Sequence, residues 1–335
     1  MLRRRPTQRD VANLAGVSQA MVSIALSGGT AVSVPAETLQ RITAAATELG
    51  YAPNRFAQAL RTRRTMTIAC IVPDITNPFY PTLIRGVQKI AQDVRYDVIT
   101  MNTDGEPARE QQFLDWARQG RVDGVIGVFF TLRASDLRAL VETDVPVVRL
   151  ESSVKQAGSI AIDDIYVDNA AAARAAAEHL IGRGHRHIAM VAGKGGPKNV
   201  RIEGYRQALA EIKAKPQIVL DEAFNEIGGY RAAKALLELR EHPTAIFAAN
   251  DLMAIGVMQA LRERKIAVPG EIAVIGFDDI SAARLVSPAL STVTQFQDRM
   301  GERAAEILLG RLEGDRMAAG TAEEMPFQLI EREST

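Results

Sequence analysis

The strongest constraint on the fold is an alternation that begins near residue 66. Short apolar runs at Thr67–Val72, Asp97–Met101, Gly124–Phe129 and Pro146–Leu150 read as buried strands, separated by helical patterns near 80–93, 107–119 and 135–142. After about residue 165 the cycle restarts, with strands at His187–Ala192, Ile218–Leu220, Ala245–Ala248 and Ala273–Phe277. Helices fall near 168–183, 201–213, 229–240 and 251–264. A strand that returns through a covering helix pairs in parallel with its neighbour, so this pattern predicts parallel sheets covered on both faces. Two consecutive sets predict two doubly wound subdomains. Ligands of such sheets bind beyond the carboxyl ends of the strands, so two facing subdomains make a cleft lined by those ends.

The first 65 residues have another character. The whole chain carries 40 basic and 40 acidic residues, yet positions 1–64 hold nine Arg, no Lys and only Asp10, Glu37 and Glu48. That head is net +6 and the remaining 271 residues are net −6. A basic head on a mildly acidic body predicts a polyanionic partner. Its helices are short. Thr7-Gln8-Arg9-Asp10 has the spacing of a capping box, with Asp in place of the usual Glu. Val11, Leu14 and Ala15 follow at helical spacing, Gly16 breaks the pattern, and Ser18 caps a second helix reaching about Leu26. A third helix is expected over Ala36–Leu49, with Gly50 as its C-cap. Ala12 at a crossing point, Gly16 in the turn and Val22 in the core form a helix-turn-helix pattern. In that geometry the start of the second helix faces base edges in the major groove. Those residues are Ser18, Gln19, Ala20 and Met21. Gln19 can pair bidentately with adenine and Ala20 can touch a thymine methyl. Thr7 and Ser23 are better placed for phosphates.

Other chemistries find little support. One cysteine, Cys70, inside an apolar strand, excludes a disulfide framework and a multi-Cys metal site. His185 and His187 have no third ligand nearby, so no metal is expected. The loop Gly193–Arg201 matches neither nucleotide-binding glycine spacing. No catalytic triad or carboxylate pair stands out, so the reading is a non-enzyme with no cofactor. No apolar run reaches the ~18 residues of a membrane helix. The basic N-terminus is followed by no apolar stretch, which predicts no secretory signal and a cytoplasmic protein. The body alone also fits a solute receptor serving a transporter; the basic head and the lack of a signal argue against that.

Several motifs occur in a shared order: Thr7-Gln8-Arg9-Asp10-Val11-Ala12-Asn13-Leu14-Ala15-Gly16-Val17-Ser18, Glu48-Leu49-Gly50-Tyr51-Ala52-Pro53-Asn54-Arg55, Ile71-Val72-Pro73-Asp74-Ile75-Thr76-Asn77-Pro78-Phe79, Arg121-Val122-Asp123-Gly124, Gly182-Arg183-Gly184-His185-Arg186, Ala248-Ala249-Asn250-Asp251 and Ile275-Gly276-Phe277-Asp278-Asp279. Together they resemble the LacI/GalR family of transcriptional regulators across essentially the whole chain. The resemblance implies an all-α helix-turn-helix head, residues 1–50, and a hinge helix and linker, 51–65. An α/β periplasmic-binding-protein-like body of two doubly wound parallel-sheet subdomains spans 66–335. The first subdomain would take about 66–163 and 296–324, and the second about 164–295 and 325–335. The protein would be a homodimer on a pseudo-palindromic operator of double-stranded DNA, and no leucine heptad follows the last apolar segment to build a tetramer.

The resemblance also implies site residues. Ser27, Tyr51, Asn54, Arg55, Ala57 and Leu60 would join the DNA contacts, with the hinge Pro53–Leu60 folding only on specific DNA. Positions facing the cleft map onto Asp74, Asn77, Phe79 and Tyr80, then Asp104, Phe129 and Phe130. Arg201, Phe224, Asn250, Asp278 and Gln295 complete them. Aromatic faces with Asp, Asn and Arg suit a sugar effector. Lys194, Lys198 and Arg201, between a strand and a helix, leave open a carboxylate or phosphate on that ligand, as in a sugar acid. Two positions depart from the family pattern. Ile24 stands where many relatives carry Arg, and Pro35 supplies no capping oxygen.

A segment as short as the hinge is not a stable helix in isolation. Leu60 would wedge into the central base step, at an unstacking cost of a few kcal/mol. Leu60→Ala is therefore expected to weaken operator binding far more than binding to random duplex. Equal losses on both DNAs in a gel-shift titration would dispose of the wedge.

Overall fold

The computed structural model describes residues 6–27, 34–52, 59–60 and 62–335. The chain forms two compact units, with the division between Thr65 and Met66. The head unit contains α1 (Gln8–Ala15), α2 (Gln19–Ser27) and α3 (Ala36–Leu49). The capping box forms as expected. Asp10 Oδ2 accepts from the Thr7 amide at 2.8 Å and from its hydroxyl at 2.7 Å, while Thr7 Oγ1 accepts from the Asp10 amide at 3.4 Å. Gly16 takes φ +65° and Gly50 φ +64°, each turning the chain out of a helix. Pro35 precedes α3 without a side-chain cap. Val11, Ala12, Ala15, Val22, Ile42 and Ala45 meet in a small core.

The body opens with β1 (Thr67–Val72), α4 (Phe79–Asp93), β2 (Asp97–Asn102), α5 (Pro107–Trp116), β3 (Gly124–Gly127), α6 (Ala134–Val141), β4 (Val147–Glu151) and β5 (Ile162–Tyr166). It continues with α7 (Asn169–Gly182), β6 (Ile188–Gly193), α8 (Lys198–Glu211), β7 (Gln217–Asp221), α9 (Glu226–Leu237), β8 (Ala245–Ala248), α10 (Asp251–Glu263) and β9 (Ala273–Ile275). The chain ends with β10 (Thr292–Thr294), α11 (Gln297–Glu313), β11 (Ala322–Glu324) and β12 (Gln328–Ile330).

Six strands form one parallel sheet in the order β11-β5-β4-β3-β1-β2, and four form a second in the order β7-β6-β8-β9. Both reverse strand order beside their first strand, between β1 and β3 and between β6 and β8. These are the switch points at which doubly wound sheets hold ligands. β10 and β12 pair antiparallel. Among the described residues, no helix is long and apolar enough to cross a membrane.

Several elements depart from the sequence reading. β5 has no counterpart there, because its centre is Asp163-Asp164. Burial of these two is offset by arginine on opposite faces of the strand. Arg311 donates to Asp163 at 2.7 and 2.8 Å, and Arg149 to Asp164 at 2.7 and 2.8 Å. The crossing expected near 163 therefore falls inside a strand that stays in the first sheet through Tyr166. α11 and β11 have no counterpart either, since α11 carries Gln297, Gly301 and Arg311 on its buried face. β3 stops at Gly127 rather than Phe129, because the Phe129 ring folds back over Gly127; a Cβ there would lie 2.3 Å from it. β9 stops at Ile275, where the Gly276 amide turns to Ser291.

α4 and α11 pack backbone against backbone. A Cβ on Gly301 would lie 2.0 Å from the Leu83 carbonyl oxygen, and one on Gly86 2.1 Å from that of Asp298. Gly301→Ala must push the two helices apart, an overpacking cost of ~1–3 kcal/mol. The expected result is a melting midpoint lower by ~2–4 °C per kcal/mol. An unchanged midpoint in calorimetry would show that the helices have slack.

Candidate functional site

The strand ends at the two switch points converge on a half-open cavity of about 210 Å³. From the first subdomain, Asn77, Phe79, Tyr80 and Phe129 reach it. From the second come Arg201, Phe224 and Asp278, and from the crossing segment Gln295. These eight were all expected.

The electrostatic centre is Arg201, in the first turn of α8 and only 3% exposed. A guanidinium cannot shed its charge, so its burial requires acceptors. Nε donates to Asn169 Oδ1 at 2.8 Å, Nη1 to the Ala249 carbonyl at 2.5 Å and Nη2 to Asp278 Oδ1 at 3.3 Å. Its plane lies over the Phe277 ring, 3.7 Å from the centroid. Gln295 Nε2 also donates to Asp278 Oδ1 at 2.9 Å, and Asn169 Nδ2 donates to Gln295 Oε1 at 3.2 Å. Arg201, Asn169, Gln295 and Asp278 thus close a four-membered ring of hydrogen bonds. Burial pushes the Arg201 guanidinium down despite the Asp278 charge. It also raises the Asp278 carboxyl to about 6, against the pull of Arg201 and Gln295. Tyr80 is raised too, by burial first and then by Asp278.

Three expected residues take other places. Asn250 caps α10: its Oδ1 accepts from the Met253 amide at 2.8 Å and its Nδ2 donates to the Phe224 carbonyl at 3.0 Å. It holds the loop that carries Phe224 and does not line the cavity. Asp74 shapes the loop after β1 by accepting from the Thr76 amide and hydroxyl, at 2.9 and 2.6 Å. Asp104 is exposed, bonded to Asn102 and ion-paired with Arg109. Of the loop cations, only Arg201 lines the cavity, and Lys194 pairs with Glu222 on the surface.

Sequence reasoning misses other residues at the site. Asn169, Glu151 and Ser152 line the cavity. Asn169 offered one signal, a polar residue opening a helix directly after a strand. Glu151 follows an apolar strand that contains Arg149, its partner at 3.1 Å. Two buried carboxylates hold the walls from behind. Glu110 accepts from the Phe130, Thr131 and Leu132 amides at 2.7, 3.1 and 3.2 Å, and from the Thr131 hydroxyl at 2.5 Å. It fixes the loop that presents Phe129 and Phe130. Asp251 accepts from the Thr292 hydroxyl at 2.6 Å and the Ile280 amide at 2.9 Å, fastening the loop that carries Asp278.

On the head, Ser18, Gln19 and Ala20 are exposed at the start of α2, and Ser18 Oγ accepts from the Met21 amide at 3.2 Å. Met21 is half-buried against the head core, as is Tyr51. Ser23, expected at a phosphate, is buried. Thr7 is half-buried, its hydroxyl turned to Asp10. Ser27 is the last residue of α2. Leu60 is 86% exposed. Asn54, Arg55 and Ala57 lie outside the described residues.

A helix-turn-helix head joined to a two-sheet body with a polar cavity at paired switch points defines a ligand-responsive DNA-binding regulator. Residues 7–54 match the family described as bacterial regulatory proteins, lacI family, and residues 177–335 match the periplasmic binding protein-like domain. The ribose operon repressor of Escherichia coli K12 is 35% identical over 315 residues, covering 91% of this chain and 93% of that protein. The lac repressor dimer bound to operator and the anti-inducer ONPF superimposes with TM-score 0.85 at 26% identity, covering 99% of both chains. A LacI family regulator from Enterococcus faecium with bound ribose gives 0.72 at 29% identity, covering 80% of this chain and 98% of that one. The chain belongs to the LacI family, and it is a transcriptional regulator rather than an enzyme.

Burial raises the Asp251 carboxyl to about 7, with the Asp278 charge adding to the rise. A carboxyl whose folded pKa lies above its unfolded value binds more protons when folded. Between about pH 4 and 7 these two groups therefore make stability fall as pH rises, with a plateau above. Asp251→Asn keeps an acceptor for Ile280, while the Thr292 hydroxyl can rotate to accept. It is expected to flatten that slope with little change at pH 5. An unaltered slope in denaturant titrations across the range would acquit Asp251.

Proposed function

We propose that this chain is a homodimeric, cytoplasmic repressor whose operator affinity is set by a sugar bound in the cavity. The carrying observation is the ring of Arg201, Asn169, Gln295 and Asp278 beneath aromatic walls. Hydroxyls need fixed donors and acceptors, and sugar C–H faces pack on aromatic rings. Arg201 keeps one N–H on each Nη after its protein bonds, and Asp278 keeps Oδ2. The names of relatives that act on a ribose operon or hold ribose agree with this reading. The dimer follows from the likeness to the lac repressor dimer.

In this reading residues 1–50 read the major groove through Ser18, Gln19, Ala20 and Met21, with a phosphate contact from Thr7 and a further DNA contact from Ser27, while Ser23 is buried within the head. Residues 51–65 form the hinge, where Tyr51, Asn54, Arg55, Ala57 and Leu60 meet DNA. Residues 66–335 bind the effector through Asn77, Phe79, Tyr80, Phe129, Arg201, Phe224, Asp278 and Gln295. Asp74, Asp104 and Asn250 support those loops. Gln295 and Asn169 lie at or beside the crossings between subdomains. A ligand that rearranges their ring therefore biases the relative orientation of the subdomains, and with it the approach of the two hinges. Such coupling is typically ~1–3 kcal/mol.

The test is a titration of the full chain with duplex chosen by selection from a random pool, with and without neutral sugars. Sugar is expected to change operator affinity by ~5–150-fold. Arg201→Ala is expected to abolish that response while DNA binding persists. Equal affinity for selected and random duplex under every condition would end this reading.

A further inference from the structure

We propose that Arg332 is a positioning residue of the effector site: it holds Asp279 in a left-handed turn, and that turn aims Asp278 into the cavity. This rests on the reading of the cavity as the effector site. Two consecutive residues with side chains take positive φ here, Asp278 at +117° and Asp279 at +53°. Aspartate tolerates the second value better than most residues, but the first lies beyond even the left-handed helical region. Such backbone persists only where its surroundings over-determine it. The flanking amides are fixed: that of Asp278 donates to the Val293 carbonyl at 2.8 Å and that of Ile280 to Asp251 Oδ2 at 2.9 Å. The reversal between them falls on Asp279, whose own backbone bonds are long. Its amide reaches Thr292 Oγ1 at 3.3 Å, and its carbonyl accepts from Gln297 Nε2 at 3.4 Å. Its short bond is made by the side chain, where Oδ1 accepts from Arg332 Nη2 at 2.5 Å.

Arg332 is itself firmly based. Nη1 donates to the Leu290 carbonyl at 2.7 Å, and the Arg332 amide donates to Ser291 Oγ at 2.9 Å. Two residues on, Ser334 is fully buried. Its hydroxyl donates to the Val274 carbonyl at 2.6 Å and accepts from the Ser291 amide at 2.8 Å, and its carbonyl accepts from the Val274 amide at 2.8 Å. The segment 332–335 is thus laid against 289–291 and β9 by its backbone and a serine hydroxyl. The guanidinium reaches Asp279 from that fixed base and can be removed without releasing the segment. The pair is also sheltered, with side chains 14% and 13% exposed, so it escapes much of the screening that makes surface pairs weak. Arg332 does not line the cavity and acts there through its partner. One residue back along the turn, Asp278 Oδ1 accepts from both Arg201 and Gln295, and those bonds need the Asp278 side chain where the turn puts it. Glycine at 279 would adopt the same conformation unaided, which separates this role from that of a plain structural tie.

The experiment compares the unsubstituted full chain with Arg332→Met, Asp279→Gly and the double variant. Methionine keeps much of the arginine stem while removing the charge. Each protein is melted in a calorimeter without ligand and titrated with neutral pentoses and hexoses, ribose among them. Asp279→Gly is expected to lower the melting midpoint of the unsubstituted protein, where it breaks the pair. In the Arg332→Met background it is expected to raise the midpoint, because only backbone strain is left to relieve. Arg332→Met should weaken binding of the sugar about tenfold, and adding Asp279→Gly should restore most of that loss. A midpoint lowered by Asp279→Gly in both backgrounds, or sugar binding that the glycine does not restore, makes Arg332 a structural tie and overturns the proposal while leaving the effector site standing. An unsubstituted protein that binds no sugar of the panel removes the effector-site reading and this proposal with it.

Discussion

A permanently charged guanidinium sealed inside protein must be surrounded by acceptors, and here that requirement organises the body. Arg201 draws an asparagine from the start of α7, a carbonyl from the end of β8 and an aspartate from the loop after β9. Gln295, on the segment leading into α11, closes the circle. Four stretches distant in sequence are thereby tied at one point. None of them can shift without leaving a buried polar group unpaired, a penalty of ~1–3 kcal/mol or more for each. The ring is therefore the polar floor of the cavity, tied through Gln295 to the segment that leads into α11.

The architecture was legible because it rests on periodicity. Alternating strands and helices, the Thr7–Asp10 box and the glycines at 16 and 50 are local signals, and each forms where expected. β5 was not legible, because its sequence Ile162-Asp163-Asp164-Ile165-Tyr166 reads as polar at the centre. Its burial depends on Arg149 and Arg311, and the second of these lies 148 residues away. For the same reason the sequence placed the first crossing too early.

The site divides along a similar line. Residues whose side chains end at strand tips could be placed from their motifs. Motifs do not say whether a polar residue faces a ligand or its own backbone. Asn250 and Asp251 illustrate this: adjacent and buried, they face inward to cap α10 and to hold Ile280 and Thr292. Asp74 likewise serves its own turn. Glu110 carried no signal at all, since its partners lie twenty and more residues on, in a loop without regular structure.

That glutamate has a consequence for how the cavity is filled. Three amides and a hydroxyl converge on one carboxylate, so the Phe129–Leu132 segment is set before anything arrives. Binding then costs little ordering entropy on that side. In the proposed effector mechanism, more of the interaction free energy then remains for shifting the two halves against each other. A preorganised wall of this kind turns a small, weakly decorated solute into an efficient lever.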